Sequence, residues 1–210
     1  MTLRERKKEQ TRQLIADTAR RLFAERGFEG VSVAEVARAA DVSEATVFNY
    51  FATKEDLFYS GLEAFEEQLL GAIRERAAGE SALAAFGRFV LEPRGLMAAK
   101  DPDAVERMAE FTRVIEESPA LLAREQAIFA GYTDSLAALL AEETGARPGD
   151  VTPWVAANAL MGVHRALVAH ARRQVMAGVR NPRLLRDVRS QGRRALAALE
   201  AGLGDYAVRR

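Results

Sequence analysis

Residues 43–54, Ser-Glu-Ala-Thr-Val-Phe-Asn-Tyr-Phe-Ala-Thr-Lys, gather side chains for which a packed core has little use. Thr46, Asn49 and Tyr50 carry hydrogen-bonding groups, and β-branched, aromatic and Asn residues are all mediocre helix formers. At helical spacing Val47 and Phe51 lie four apart and turn inward with Val42, so Ser43, Glu44, Ala45, Thr46 and Asn49 turn outward. The chemistry on offer there is recognition of a duplex. Asn49 can pair with adenine N6 and N7, Thr46 can give a hydroxyl to phosphate or a methyl to thymine, and Glu44 can accept from cytosine N4. Ala45 is small enough for close approach. Tyr50 can hydrogen-bond a phosphate, and Lys54 begins a helix, where free N–H groups already favour an anion.

The flanking elements must hold this stretch in place. A first helix spans about Glu5 to Arg26, with Leu14, Ile15, Ala19, Leu22 and Phe23 on one stripe, and stops at Gly27. Ser32 and Glu35 form a capping box that opens a second helix, whose buried face is Val33, Val36, Ala37 and Ala40. Asp41-Val42 makes a tight connection, Ser43 caps a third helix ending near Phe51, and Thr53 caps a long fourth helix over 54–78. Two short helices joined by a tight turn and braced by a third make a helix-turn-helix, whose second helix enters the major groove.

Residues 10–58 resemble the DNA-binding domain of the tetracycline-repressor (TetR) family of bacterial regulators, over about a quarter of the chain. The matching stretches are IADTARRLFAERGFEGVSVAEVARAADVS and TVFNYFATKEDLF. They carry Gly27-Phe28 after the first helix, the Ser32 cap, the Val36-Ala37 pair, the Val42-Ser43 turn and a recognition block of the form T-x-Y-x-H/Y-F-x-x-K. The resemblance implies a DNA face of Ser43, Ala45, Thr46, Phe48, Asn49, Tyr50 and Lys54, and Ser32 and Glu44 beside them complete the candidate set. Two positions depart from the pattern: Phe48 stands where Tyr is usual, losing a phosphate hydrogen bond, and Ala45 stands where Gly is common. Positions 44, 45 and 49 vary within the family, so the target sequence does not transfer.

The formal net charge of +0 conceals segregation: residues 1–26 carry eight Lys/Arg against four Asp/Glu, and residues 61–150 carry nine against seventeen. Residues 151–210 return to excess positive charge, eleven against three. Arg4, Arg6, Lys7, Lys8 and Arg12 form a basic extension, readable as an arm along the flanking minor groove or as a solvated tail. With no cysteine, disulfides and thiolate metal sites are excluded. No apolar run approaches the ~20 residues needed to span a bilayer, and no signal peptide is evident, so a cytoplasmic protein is expected.

Helical periodicity continues over 81–91, 102–117, 119–144, 153–178 and 182–203, and no stretch alternates with a period of two. Asp101-Pro102, Ser118-Pro119, Thr152-Pro153 and Asn181-Pro182 each read as an N-cap followed by Pro at the first helical position. The expected fold is all-α with about nine helices: a DNA-binding domain over 1–53, a connecting helix over 54–78, and a ligand-binding and dimerisation domain over 79–210. Leu160, Val163, Leu167 and Ala171, with Leu184, Leu185, Val188, Ala195, Leu196, Leu199 and Leu203, form stripes on the last two helices. Two such helices from each of two subunits would build a four-helix interface; the alternative is that one chain buries both stripes in its own core.

For a small-molecule effector, which the resemblance implies, the candidate lining is Phe86, Phe89, Met108, Phe111, Phe129, Tyr132, Trp154, Asn158, Met161 and Arg165, with His164 among the few polar groups nearby. An apolar lining with sparse polar groups suits a lipophilic or acyl-type ligand anchored by Arg165, although plain core packing accounts for the same residue types. No catalytic constellation, phosphate-cradling glycine loop or metal motif is present, and His164 and His170 lie on different helix faces. No enzyme activity, cofactor or metal is expected. The reading is a homodimeric repressor on a palindromic operator in double-stranded DNA, released by a small molecule. An activator or partner-controlled regulator shares the same DNA domain, and a helical small-molecule carrier without DNA binding is the rival from another class.

Overall fold

In the computed structural model, which describes residues 2–99, 101 and 103–209, the described residues form helices joined by turns and irregular connections. The helices are α1 (Leu3–Arg26), α2 (Val33–Ala39), α3 (Glu44–Phe48), α4 (Lys54–Phe58), α5 (Glu63–Arg74), α6 (Ala82–Leu91), α7 (Ala104–Glu116), α8 (Pro119–Thr144), α9 (Thr152–Met176) and α10 (Arg183–Leu203), with a 3-10 turn over Gly95–Met97. Among the described residues the one β-type contact is an isolated bridge between Ser81 and Val208. No described helix is long and apolar enough to cross a membrane.

Among the described residues ten α-helices stand where nine were expected, because the helix expected over 54–78 is interrupted. After α4 the chain turns through Tyr59–Leu62, and Gly61 adopts φ +96°, outside the right-handed helical region and open to glycine at little cost. Leu62 N–H closes the turn on Tyr59 O at 3.1 Å. The N-terminal basic stretch also differs from an extended arm. Thr2 accepts from Glu5 N–H while Glu5 takes Thr2 N–H at 2.6 Å, and this reciprocal cap draws Arg4 to Arg12 into the first turns of α1.

Local capping explains most of the other boundaries. Ser32 with Glu35 and Thr53 with Asp56 make the same reciprocal cap on α2 and α4. Ser118 Oγ accepts Leu121 N–H in the first turn of α8, as expected. Two proline starts are shifted. Thr152 lies inside α9, and the Asp150 carboxylate takes its N–H at 2.9 Å; α10 begins after Pro182, so Asn181 is not its cap. The start expected at Asp101-Pro102 involves Pro102, which lies outside the described residues.

The chain packs as two units, Met1–Glu63 with Glu110–Arg124, and Ala64–Ala109 with Glu125–Arg210. The first unit buries Ile15, Ala19, Phe23, Phe28, Val36, Val47, Phe51, Leu57 and Phe58. Its second sequence segment is clasped by specific contacts: Phe111 stacks on Phe58 at 4.2 Å, Tyr59 donates to Leu121 O at 3.0 Å, Ser118 donates to Glu29 at 2.7 Å, and Arg124 pairs with Asp56.

The second unit is a helical core in which α10 packs on α6 and α9. Leu160, Val163, Leu167, Ala171, Leu184 and Val188, the heart of the stripes expected at a dimer interface, are buried within this unit. The alternative of burial in one chain therefore holds for those faces. Gly192 serves the same packing: a Cβ there would stand 2.5 Å from Leu91 Cδ2.

Candidate nucleic-acid interface and effector site

The first unit presents α3 as the sequence requires. Asp41 turns the chain at φ +54°, in the left-handed region that Asp tolerates better than most residues. Val42 N–H closes on Ala37 O at 3.0 Å, and Ser43 accepts Thr46 N–H at 3.1 Å, capping α3. Val47 is 1% exposed and Phe51 3%. Ser43, Glu44, Ala45 and Asn49 are exposed, Thr46 and Tyr50 half-buried, and Phe48 is 52% exposed, an aromatic ring left bare on the outer side. The outer side of this element is thus exposed at Ser43, Glu44, Ala45, Phe48 and Asn49.

Several details refine the expected DNA face. The α-helix ends at Phe48 and not near Phe51; Asn49 N–H still bonds Ala45 O, while Tyr50 N–H closes the tighter turn on Val47 O. The Thr46 and Ser43 hydroxyls share a hydrogen bond at 2.8 Å. Ser32 Oγ is occupied by its cap, accepting Glu35 N–H and donating to the Glu35 carboxylate. That cap, with Arg26 at 2.8 Å, lowers the Glu35 carboxyl to about 2, the Ser32 backbone N–H being the largest cause.

Lys54 is placed differently from a free phosphate contact. Its ammonium lies 4.1 Å from the Phe28 ring centre, and burial lowers its pKa against the opposing pull of Glu29, Glu55 and Glu35. Arg38, which sequence reasoning passed over, lines a groove of about 500 Å³ with Ala34, Asp41, Ser43 and Glu44 at the start of α3. An exposed arginine at i+6 from a cap residue leaves no periodic signal, so only the fold brings it there. Arg12 lies over Phe51 at 5.3 Å, joining the basic end of α1 to the base of the recognition element.

In the second unit the rings of Phe65, Phe89, Phe129, Tyr132 and His164 converge. Phe65 is 5.4 Å from Phe89 and 5.5 Å from Tyr132, and Phe129 is 6.2 Å from Tyr132. Phe86 and Met161 are fully buried core, and Met108 is partly buried against the same core. The remaining expected lining residues lie elsewhere. Phe111 belongs to the first unit, Trp154 is 54% exposed, the Asn158 amide donates to Trp154 O, and Arg165 is exposed. Trp154, Asn158, Met161 and Arg165 follow one another along α9 at i, i+4, i+7 and i+11, yet of the four only Met161 is sealed in the core. Phe65 was missed because it fell in the supposed connecting helix; its i, i+4, i+8 spacing with Leu69 and Ile73 was the available signal.

A capped helix-turn-helix with a bare recognition face, followed by a larger all-helical unit, is the plan of a DNA-binding transcriptional regulator. Residues 15–60 match the family model described as bacterial regulatory proteins, tetR family, and residues 80–203 match the MftR C-terminal domain. The chain belongs to the TetR family of bacterial regulators. It is 30% identical over 172 residues to a Mycobacterium tuberculosis protein provisionally named mycofactocin biosynthesis transcriptional regulator MftR, covering 79% of this chain and 81% of that one. Among solved structures it resembles Pseudomonas aeruginosa NalD, the secondary repressor of the MexAB-OprM multidrug efflux pump (TM-score 0.56, 24% identity, 94% of this chain and 97% of that chain). It also resembles Bacillus subtilis FadR in complex with stearoyl-CoA (TM-score 0.53, 23% identity, 90% and 98%). At these identities the two structures show a shared fold.

Proposed function

We propose that this regulator is a cytoplasmic homodimeric repressor whose paired α3 elements read a palindromic operator, and that a small lipophilic or acyl-type molecule releases it. The observation that carries the reading is the bare outer side of α3, Glu44, Ala45, Phe48 and Asn49, over the buried Val47 and Phe51. Phosphate contacts come from Tyr50, Arg38 and the basic start of α1, with Lys54 able to swing out from Phe28. Two α3 elements related by a two-fold axis would occupy major-groove half-sites ~34–36 Å apart.

Helices α9 and α10 supply the dimer contact through the faces turned away from their own core. Trp154 and Val155 are 54% and 55% exposed, and with Ala159, Gly162 and Ala166 they follow one side of α9. A Cβ added at Gly162 would meet nothing within 4 Å, so another helix can approach closely there. The effector belongs to the aromatic cluster of the second unit. It can release DNA only as far as it binds the low-affinity conformer more tightly than the other.

Gel retardation with the DNA upstream of this protein's own gene tests the reading. A repressor gives a sequence-selective complex that weakens steeply with salt and dissociates on addition of its effector. A carrier shows no sequence preference, and a partner-controlled regulator binds DNA without responding to small molecules.

A further inference from the structure

His164 is the polar exception in the aromatic cluster. Its imidazole stacks on Phe65 at 4.6 Å with 27° between planes, and Phe129 meets it edge-on at 5.6 Å and 86°. Neither ring nitrogen has a hydrogen-bond partner among the described residues, and the residue is only half-buried, so both nitrogens are left for a group arriving from outside. The cluster is also asymmetric. Phe86 and Met161 are 0% exposed, whereas Phe65, Phe129 and Met108 are covered only in part. The unused donor and acceptor therefore belong to the half-buried part of the cluster, with Phe65 and Phe129.

We infer that His164 anchors the effector, hydrogen-bonding the hydroxyl of a flat, uncharged, ring-bearing molecule that lies against Phe65 and Phe129. This rests on the ligand-responsive reading above and narrows its lipophilic effector. The chemistry follows from what the edge offers. Flat faces on α5 and α8 favour offset or edge-to-face stacking with a ring. A neutral imidazole has one N–H and one lone pair, and a hydroxyl satisfies both senses, as donor or acceptor. Burial, reinforced by the neighbouring Arg165 charge, keeps the ring in that neutral form. Arg165 is exposed, and Arg94, which lies over the Phe89 ring, is committed to the Glu92 carboxylate and the Phe89 carbonyl, so neither cation is set to hold a carboxylate here.

Calorimetric titration with 2-naphthol and with naphthalene tests the assignment on the full chain. The unsubstituted protein binds 2-naphthol roughly ten-fold more tightly than naphthalene, the worth of about one hydrogen bond to a buried group. His164→Phe abolishes that preference while still binding naphthalene, and His164→Gln, which keeps a donor and an acceptor, retains part of it. An undiminished preference in His164→Phe, or no binding of 2-naphthol by the unsubstituted protein, overturns the inference. Should His164→Phe not fold, an undiminished preference in His164→Ala overturns it equally. Gel retardation on the same samples separates the two readings: a selective DNA complex without naphthol binding defeats this inference alone.

Discussion

Arg76 and Glu143 form a bidentate pair in the second unit, with Nη1 at 3.0 Å and Nη2 at 2.6 Å from the carboxylate oxygens. The arginine side chain is 1% exposed, and its remaining N–H groups go to Ile73 O, Glu80 O and Ala207 O. All five guanidinium donors are thus used, which is what a charge removed from water requires. Ala207 brings in the chain after α10. Gly79 N–H donates to Arg209 O, Arg209 N–H to Glu80 O, and Ser81 bridges Val208. The C-terminal residues are thereby fastened to the α5–α6 connection.

Removing the carboxylate leaves the buried cation uncompensated. Glu143→Ala is expected to destabilise the second unit by about 3 kcal/mol, the lower end for breaking a buried pair because Glu143 itself is partly exposed. Urea unfolding followed by circular dichroism checks this. A loss under ~1 kcal/mol would mean that water or another group compensates Arg76.

Asn49→Ala should cost ~1–3 kcal/mol in operator affinity and relax preference at one base position, leaving fold stability unchanged because Asn49 is exposed. Binding to a set of operators substituted at single positions measures it. A uniform loss across all of them would mark Asn49 as a phosphate contact instead.

His164 links stability to pH. Burial and the Arg165 charge lower its pKa from 6.5 to about 4, so the folded protein binds fewer protons at this site than the unfolded chain. The site's contribution is complete above pH 6.5 and is lost as pH falls toward 4, at about 1.4 kcal/mol per unit. His164→Phe should flatten the stability profile between pH 6.5 and 4.5, above the range where the lowered carboxylates begin to titrate. Thermal melts across that window decide the matter; an unchanged slope would mean that the imidazole is solvated in the folded state.

Ala166→Glu places a charge on the outward side of α9. The subunit should fold normally, since Ala166 is exposed, yet dimerise at least roughly ten-fold more weakly, because a buried unpaired charge costs several kcal/mol. Analytical ultracentrifugation gives the dissociation constant. An intact dimer would move the interface off this face.

Much of the helical plan was legible because its causes are local. A Ser or Thr three residues before an acid can cap a helix without help from distant residues, as at Ser32–Glu35 and Thr53–Asp56, and a 3.6-residue period marks a helix before anything packs on it. The inward Val47 and Phe51 and the outward Asn49 of the recognition element needed only that period. The interruption near Gly61 was not legible, since glycine inside a helical pattern is tolerated as often as it breaks one, and the Tyr59 hydroxyl bond to Leu121 O joins residues sixty-two apart.

The tertiary structure alone decided what each apolar face meets. Leu160, Val163 and Leu167 were fit for a partner or for their own core, and the packing of α10 and α6 on α9 settled them inside. It also separated Phe111, stacked on Phe58, from Phe65, drawn in beside His164. Spacing along one helix fixes which residues share a side of it. Which side is covered depends on apolar surface contributed by distant segments, and a short window of sequence holds no record of that competition.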